Sequence, residues 1–281
     1  MRIAIASGKG GTGKSTVSTN FAYLLSEIYD DVAIIDCDVE EPNCHIFLKP
    51  VVEKTETSYL SVPEINRGLC NGCGKCTDIC QFNSLALVKN KVIVFPELCH
   101  SCGGCWLICP VNAIFQGKRE IGIIEKGISE KLHFIQGKLR IGEAMSPPLI
   151  KAAKKEGLQH NIQILDCPPG TSCPVIMAVN DADYIVMVTE PTPFGLYDLK
   201  LAVDVMKELN KDFGIVINRS GENDFLIEDY AKTENIPVLT RINDDRRIAE
   251  CYSKGELAVK ELPEYKEAFK PLIDVVRRLN K

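Results

Sequence analysis

The stretch from Arg2 to Thr16, RIAIASGKGGTGKST, decides how this chain folds. Its apolar start, Arg2–Ala6, reads as a short buried strand. A glycine-rich turn follows from Gly8 to Gly13. Residues Ser15–Glu27 then read as a helix, with Val17, Phe21, Leu24, Leu25 and Ile28 close to a 3.6-residue period. Val32–Ile35 is a second strand and runs into Asp36. Strand, loop, helix and strand in that order imply a parallel sheet.

The loop itself, Gly8-Lys9-Gly10-Gly11-Thr12-Gly13-Lys14-Ser15, fits G-x-x-x-x-G-K-[ST]. Glycines let the backbone fold into a nest whose N–H groups point at phosphate oxygens. The helix that follows offers its positive N-terminus to the same phosphates. Lys14 is placed to reach the β- and γ-phosphates, and the Ser15 hydroxyl to coordinate Mg²⁺. A second apolar strand ends in a carboxylate, Ile162-Gln163-Ile164-Leu165-Asp166, and Asp166 is expected to hold the magnesium through water. The stiff turn Cys167-Pro168-Pro169-Gly170 suits a switch that senses the γ-phosphate. Asp36 and Asp38 close the second strand near the same crevice. One would support the magnesium shell and the other orient the attacking water. The weaker alternative is that both are turn or capping carboxylates.

Taken together, these segments resemble the ParA/MinD superfamily of P-loop ATPases. GKGGTGKST is similar to the deviant phosphate loop of that superfamily, whose extra early lysine is Lys9 here. Asp36-x-Asp38, Asp166–Gly170 and Ile217-Asn218-Arg219 match it as well. The resemblance implies an ATP-dependent homodimer, with Lys9 reaching the partner's nucleotide and Asp38 positioning the catalytic water. It implies ATP contacts from Gly8 through Thr16 and from Asn218 and Arg219, and Mg²⁺ held by Ser15, Asp36 and Asp166. The choice of ATP over GTP follows from the resemblance alone.

The whole chain has 281 residues, 45% hydrophobic and 25% charged, with a net charge of −5. That composition excludes disordered, collagen-like and coiled-coil classes. The acidic balance gives no drive toward nucleic acid. No apolar run is long enough to span a membrane, and the N-terminus lacks a secretory pattern, so a cytoplasmic protein without a membrane partner is expected. In a reducing compartment, the 13 cysteines read as metal or redox ligands before disulfides.

Eight of those cysteines form two runs. The first is Cys70-x-x-Cys73-x-x-Cys76-x-x-x-Cys80, and the second is Cys99-x-x-Cys102-x-x-Cys105-x-x-x-Cys109-Pro110. Both follow the bacterial ferredoxin spacing C-x₂-C-x₂-C-x₃-C. Three thiolates on one tight loop reach three irons of one cubane, and the fourth points to the other cluster. The expected sets are therefore crossed: Cys70, Cys73, Cys76 and Cys109 for one [4Fe–4S] cluster, and Cys80, Cys99, Cys102 and Cys105 for the other. Zinc is the main alternative, although its sites do not need the C-x₃-C tail. Gln81 stands where a proline commonly follows the fourth cysteine. This module is expected over residues 61–118, inserted into an ATPase domain of residues 1–60 and 119–281.

The expected fold is α/β, a doubly wound and mostly parallel sheet with a small inserted two-cluster ferredoxin domain. Further strands are expected at Leu132–Ile135, Tyr184–Val188 and Gly214–Asn218, with Val238 in the middle of a short one. Helices are expected at Pro148–Glu156, Val175–Asn180, Gly195–Leu209 and residues 264–281. The last carries the stripe Tyr265, Phe269, Leu272, Ile273, Val276 and Leu279. It reads as a docked core helix rather than a basic membrane tail, despite Arg277, Arg278 and Lys281. Cys37, Cys44, Cys167 and Cys251 read as buried small residues. Cys173 is a candidate for a subunit-bridging site by analogy with the nitrogenase iron protein. The late C-P-x-C pair of cluster-scaffold relatives is absent. The four histidines, His45, His100, His133 and His160, share no motif.

Three functions follow: an ATPase that gates electron transfer from its clusters to a partner, a carrier that hands clusters to apo-proteins, and an ATP-driven positioning protein. Firmly held ferredoxin clusters favour the first.

Overall fold

Burial of every residue in Arg2–Ala6 (β1), Val32–Asp36 (β2) and Ile162–Asp166 (β8) gives the sheet its centre. Strands covered on both faces read as continuous apolar runs, as these do. The computed structural model describes residues 1–280, so Lys281 of the basic tail lies outside the described residues. Between the first strands lie α1 (Lys14–Ile28) and α2 (Cys44–Leu48). β3 (Val51–Ile65), α3 (Lys75–Ile79), β4 (Leu85–Val88), β5 (Lys91–Val94), α4 (Gly104–Ile108) and β6 (Ile114–Ser129) come next. The chain then forms β7 (Leu132–Leu139), α5 (Pro147–Glu156), β8, α6 (Cys173–Val179), β9 (Tyr184–Thr189) and α7 (Pro193–Glu208). It finishes with β10 (Phe213–Ser220), α8 (Phe225–Thr233), β11 (Val238–Asn243), α9 (Arg246–Ser253), α10 (Ala258–Glu261) and α11 (Lys266–Leu279).

The described chain divides into two units. The first comprises residues 1–56, 123–139 and 146 onward, and the second comprises 57–122 with the short return 140–145. The composition shift at 61 and 118 misses the second unit's outer strand residues and the return. Those residues carry no cysteine and mix polar with apolar side chains.

In the first unit the strand order runs β11-β10-β9-β1-β8-β2-β7, with every adjacent pair parallel. β6 and β3 continue the order beyond β7. A two-residue turn with Glu130 at φ 54 joins β6 to β7, too short for a parallel crossover, so that pair is antiparallel. The chain leaves β1 toward β2 on one side and later returns to β9 on the other. The crevice at the carboxyl ends of β1, β8 and β2 is thus a topological switch point. Fully buried Phe21 and Leu25 of α1, with Phe269, Leu272 and Val276 of α11, pack over Ile3, Ile5 and Ile34.

α11 is docked in the core as expected, although Leu279 at the end of its stripe is 41% exposed. Val238 opens β11 rather than sitting in its middle. The long strands β3 and β6 were not legible. β3 begins VVEKTET, with its first five residues exposed, and gives no alternating apolar signal.

In the second unit two similar halves follow one another. Each has a cysteine loop, a five-residue helix (α3 or α4) and a strand. Gly72 and Ser101 take positive φ (70 and 56), as do Gly74 and Gly103 (80 and 83) and Asn83 and Asn112 (52 and 49). The backbone therefore repeats the sequence repeat. β4 and β5 pair antiparallel, and the apolar cluster around the cysteine loops is small: Cys76, Leu85, Cys105 and Ile114 are its buried members.

Candidate functional site

The phosphate loop lies between β1 and α1, in the strand, loop and helix order that its motif requires. Gly13 has φ 86, and a Cβ there would lie 2.1 Å from Asn218 Nδ2, so only glycine fits. The Asn218 side chain donates to the Thr12 carbonyl at 2.8 Å, tying β10 to the loop. The Thr12 hydroxyl is buried without a protein partner, as expected of a group awaiting a ligand.

Asp166 is fully buried and gathers four donors. Lys14 Nζ lies 3.0 Å from Oδ1, Ser15 donates to Oδ2 at 2.8 Å, Ser18 to Oδ1 at 2.8 Å, and Cys44 Sγ to Oδ2 at 3.3 Å. Asp36 and Asp166 are register partners across β2 and β8. One donor atom from each of Asp36, Cys44 and Asp166 falls within 4.8 Å of the others, a spacing that one small cation could span. Burial works against the Lys14 charge, but Asp166, Asp38 and Asp36 outweigh it and hold the ammonium protonated well above its ordinary range.

Asp36 accepts from the N–H groups of Asp38 (3.1 Å), Asn43 (3.0 Å) and Cys44 (3.0 Å). It thereby pins the segment that enters α2. Burial, reinforced by the Asp166 charge, pushes Asp36 up to about 7. Burial pushes half-buried Asp38 up to about 6, against the pull of Lys14. Both values lie above the roughly 3.9 of an unfolded aspartate, so the fold binds protons that the unfolded chain has already released. Stability from these two groups is therefore complete below about pH 4 and is lost as pH rises through 6 to 7. The thermal midpoint of nucleotide-free protein should fall between pH 5 and 8, and Asp36→Asn should flatten that slope. An unchanged slope in the variant would contradict this account.

Lys9 does not project freely. It pairs with Glu190, just past β9, and Glu190 also takes Arg219 at 2.9 Å. Glu190, Ser18 and Cys44 were missed in the sequence. Glu190 had a usable signal, since it follows an apolar strand as Asp36 and Asp166 end theirs. Gly11, Gly13, Thr16, Asn218 and Arg219 line one side of a cleft of about 350 Å³. Asn243, Asp244, Asp245, Ile248 and Tyr252 line the other, and none of these was singled out.

Cys37, Cys44, Cys167 and Cys251 are buried, and Cys173 is exposed at the start of α6. Two of the histidines, which share no sequence motif, meet in the fold. His133 and His160 stack with ring centroids 4.2 Å apart, brought together by β7 and the entry to β8.

In the second unit, Cys70, Cys73 and Cys76 line one pocket together with Cys109 from the other run. Cys80 Sγ lies 3.2 Å from Ser84 Oγ, while the N–H groups of Ser101 and Ala113 point at Cys99 Sγ (3.4 Å) and Cys109 Sγ (3.2 Å). Such N–H groups stabilise thiolate ligands. A single zinc ion with bonds of about 2.3 Å would hold sulfurs about 3.8 Å apart. Among the described residues, no three of the eight module cysteines bring their sulfurs within 4.8 Å of one another. Trp106 packs against Gly103, and its indole borders the unit's small core.

Residues 3–259 match the family model described as CobQ/CobB/MinD/ParA nucleotide binding domain. An uncharacterized protein of Methanocaldococcus jannaschii is 37% identical over 268 residues, 92% of each chain. An iron-sulfur cluster carrier protein of Aquifex aeolicus is 26% identical over 296 residues, 99% of this chain and 66% of that one. Among solved structures, the septum site-determining protein MinD of Pyrococcus horikoshii, complexed with Mg-ADP, superposes with a TM-score of 0.62 at 22% identity, covering 99% of this chain and 96% of that one. No helix among the described residues is long and apolar enough to cross a membrane. The chain belongs to the CobQ/CobB/MinD/ParA nucleotide-binding family and is a P-loop ATPase of the MinD/ParA type.

Proposed function

We propose that this ATPase carries two [4Fe–4S] clusters in an inserted ferredoxin-like module and couples its nucleotide state to electron transfer toward a partner protein. The single observation that carries the reading is the pocket that joins Cys70, Cys73 and Cys76 to Cys109. The crossed ligand set that the spacing predicts would need these four cysteines together. Cys80, Cys99, Cys102 and Cys105 form the second set. When bound, the clusters supply one-electron redox chemistry.

On the nucleotide side, Gly8–Thr16 cradle the phosphates, and Lys14 exchanges Asp166 for the β- and γ-phosphates. Ser15, Asp36 and Asp166 hold Mg²⁺, Asp38 orients the attacking water, and Asn218 and Arg219 border the base. Lys9 leaves Glu190 to reach the partner's nucleotide in an ATP-bound homodimer. Asp36 is the element linking the two functions. It pins residues 38–44 through three N–H groups, and the chain runs from there through α2 into the module-bearing strand β3.

An anaerobic redox titration followed by EPR, with and without Mg·ATP or its non-hydrolysable analogue, tests the coupling. Cluster signals that shift in potential or shape with nucleotide are expected. Signals indifferent to nucleotide while hydrolysis continues would defeat it. The second reading, a cluster carrier for apo-proteins, is favoured by relatives with that name, including the Aquifex aeolicus protein. Cluster transfer to an apo-ferredoxin on mixing would support that reading over the first.

A further inference from the structure

We propose that Asp31, His133 and His160 form a binding site for one divalent transition-metal ion of the zinc and cobalt class, at the sheet edge opposite the phosphate loop. Asp31 immediately precedes β2, His133 is the second residue of β7, and His160 lies two residues before β8. β8, β2 and β7 are adjacent and parallel, so their entry ends meet at one edge. One donor atom from each of the three residues lies within 4.8 Å of the other two. Tetrahedral bonds of about 2.0–2.2 Å set ligand atoms roughly 3.3–3.6 Å apart, so small side-chain rotations close the set.

Without an ion, two of the ligands are held side by side by a hydrogen bond that the ion would replace. His160 Nδ1 lies 2.7 Å from Asp31 Oδ1, and Asp31 Oδ2 accepts from the Asn161 N–H at 2.9 Å. The Asp31 carbonyl accepts from the Ile162 N–H at 3.1 Å, fixing the backbone on which the carboxylate stands. The His160 side chain is 8% exposed and that of Asp31 32% exposed, so the site is sheltered on one side and open to solvent on the other.

The donor set decides the ion. Two imidazoles and one carboxylate suit zinc, cobalt or nickel, whereas magnesium and calcium prefer all-oxygen shells. Three protein ligands leave one position for solvent. The site is not the magnesium position of the nucleotide. Asp31 and Asp36 stand at opposite ends of β2, five residues and about 16 Å apart. A hydrogen-bonded His–Asp pair with a stacked neighbour is the competing account, and it predicts no metal affinity.

The test uses cluster-loaded protein, saturated with Mg²⁺ and a non-hydrolysable ATP analogue so that the other candidate sites are filled. Anaerobic calorimetric titration with Co²⁺ should show one ion bound per chain. His133→Ala and Asp31→Asn should each weaken it by about tenfold to a hundredfold, with ATP hydrolysis unchanged. Anomalous scattering at the cobalt edge from crystals of the unsubstituted protein should place the ion among the three residues, whether or not the variants fold. An empty site in that map, or variant isotherms that match the parent, would overturn the proposal.

Discussion

Lys14→Ala should abolish ATP hydrolysis, with a loss of at least about 100- to 1,000-fold in kcat. Phosphoryl transfer leaves little covalent chemistry to the protein, so positive charge held at the phosphates is the main catalytic contribution. Lys14 is the cation placed for that task, with its side chain only 7% exposed at the mouth of α1 and its Nζ 3.0 Å from Asp166. Burial alone would strip its proton. The surrounding Asp166, Asp38 and Asp36 keep it charged, the form that would pair with phosphate. Lys14→Arg should recover little, since a wide planar guanidinium does not replace a compact ammonium buried against Asp166. Steady-state hydrolysis in the two variants, with nucleotide affinity measured separately, checks this. Turnover within a few fold of the parent would remove the loop from the catalytic site.

Removing iron should unfold the second unit while leaving the first folded. Hydrogen-exchange protection should fall to near that of an open chain across residues 57–122, with no comparable loss in β1, β8 and β2. The reason lies in the size of the core. Around the cysteine loops the buried apolar cluster has four members, Cys76, Leu85, Cys105 and Ile114, and two are themselves proposed ligands. A core that thin does not offset the conformational entropy of ordering its chain, so inorganic ligation has to supply the difference. Anaerobic chelation of the full chain followed by exchange and mass spectrometry measures it. Protection that survives complete iron loss would mean that the module folds on protein contacts alone, and that the clusters do not staple it.

Both expectations rest on residues that the sequence exposes directly. The phosphate loop was legible because its chemistry is local: eight consecutive residues must provide the nest, the lysine and the hydroxyl. The cysteine runs were legible for the same reason, since each repeats the C-x₂-C-x₂-C-x₃-C spacing within eleven residues. β3 and β6 were not. They are long and largely polar, and nothing in VVEKTET declares a strand until neighbours complete its hydrogen bonding. The boundaries of the second unit suffered likewise, because its return at 140–145 has no compositional mark.

By itself, then, the sequence determined the switch-point α/β plan, the nest and the paired cysteine loops, all set by short-range stereochemistry. Only the tertiary structure decided which distant groups meet. Asp36 faces Asp166 because parallel register pairs residues 130 positions apart. Glu190 takes both Lys9 and Arg219 because β9 lies beside β1 and β10. His133 and His160, unrelated in sequence, join Asp31 because β7, β2 and β8 enter the sheet side by side. A parallel sheet connects its strands through crossovers, so contacts along its edges are non-local, and no pattern within a window of sequence records them.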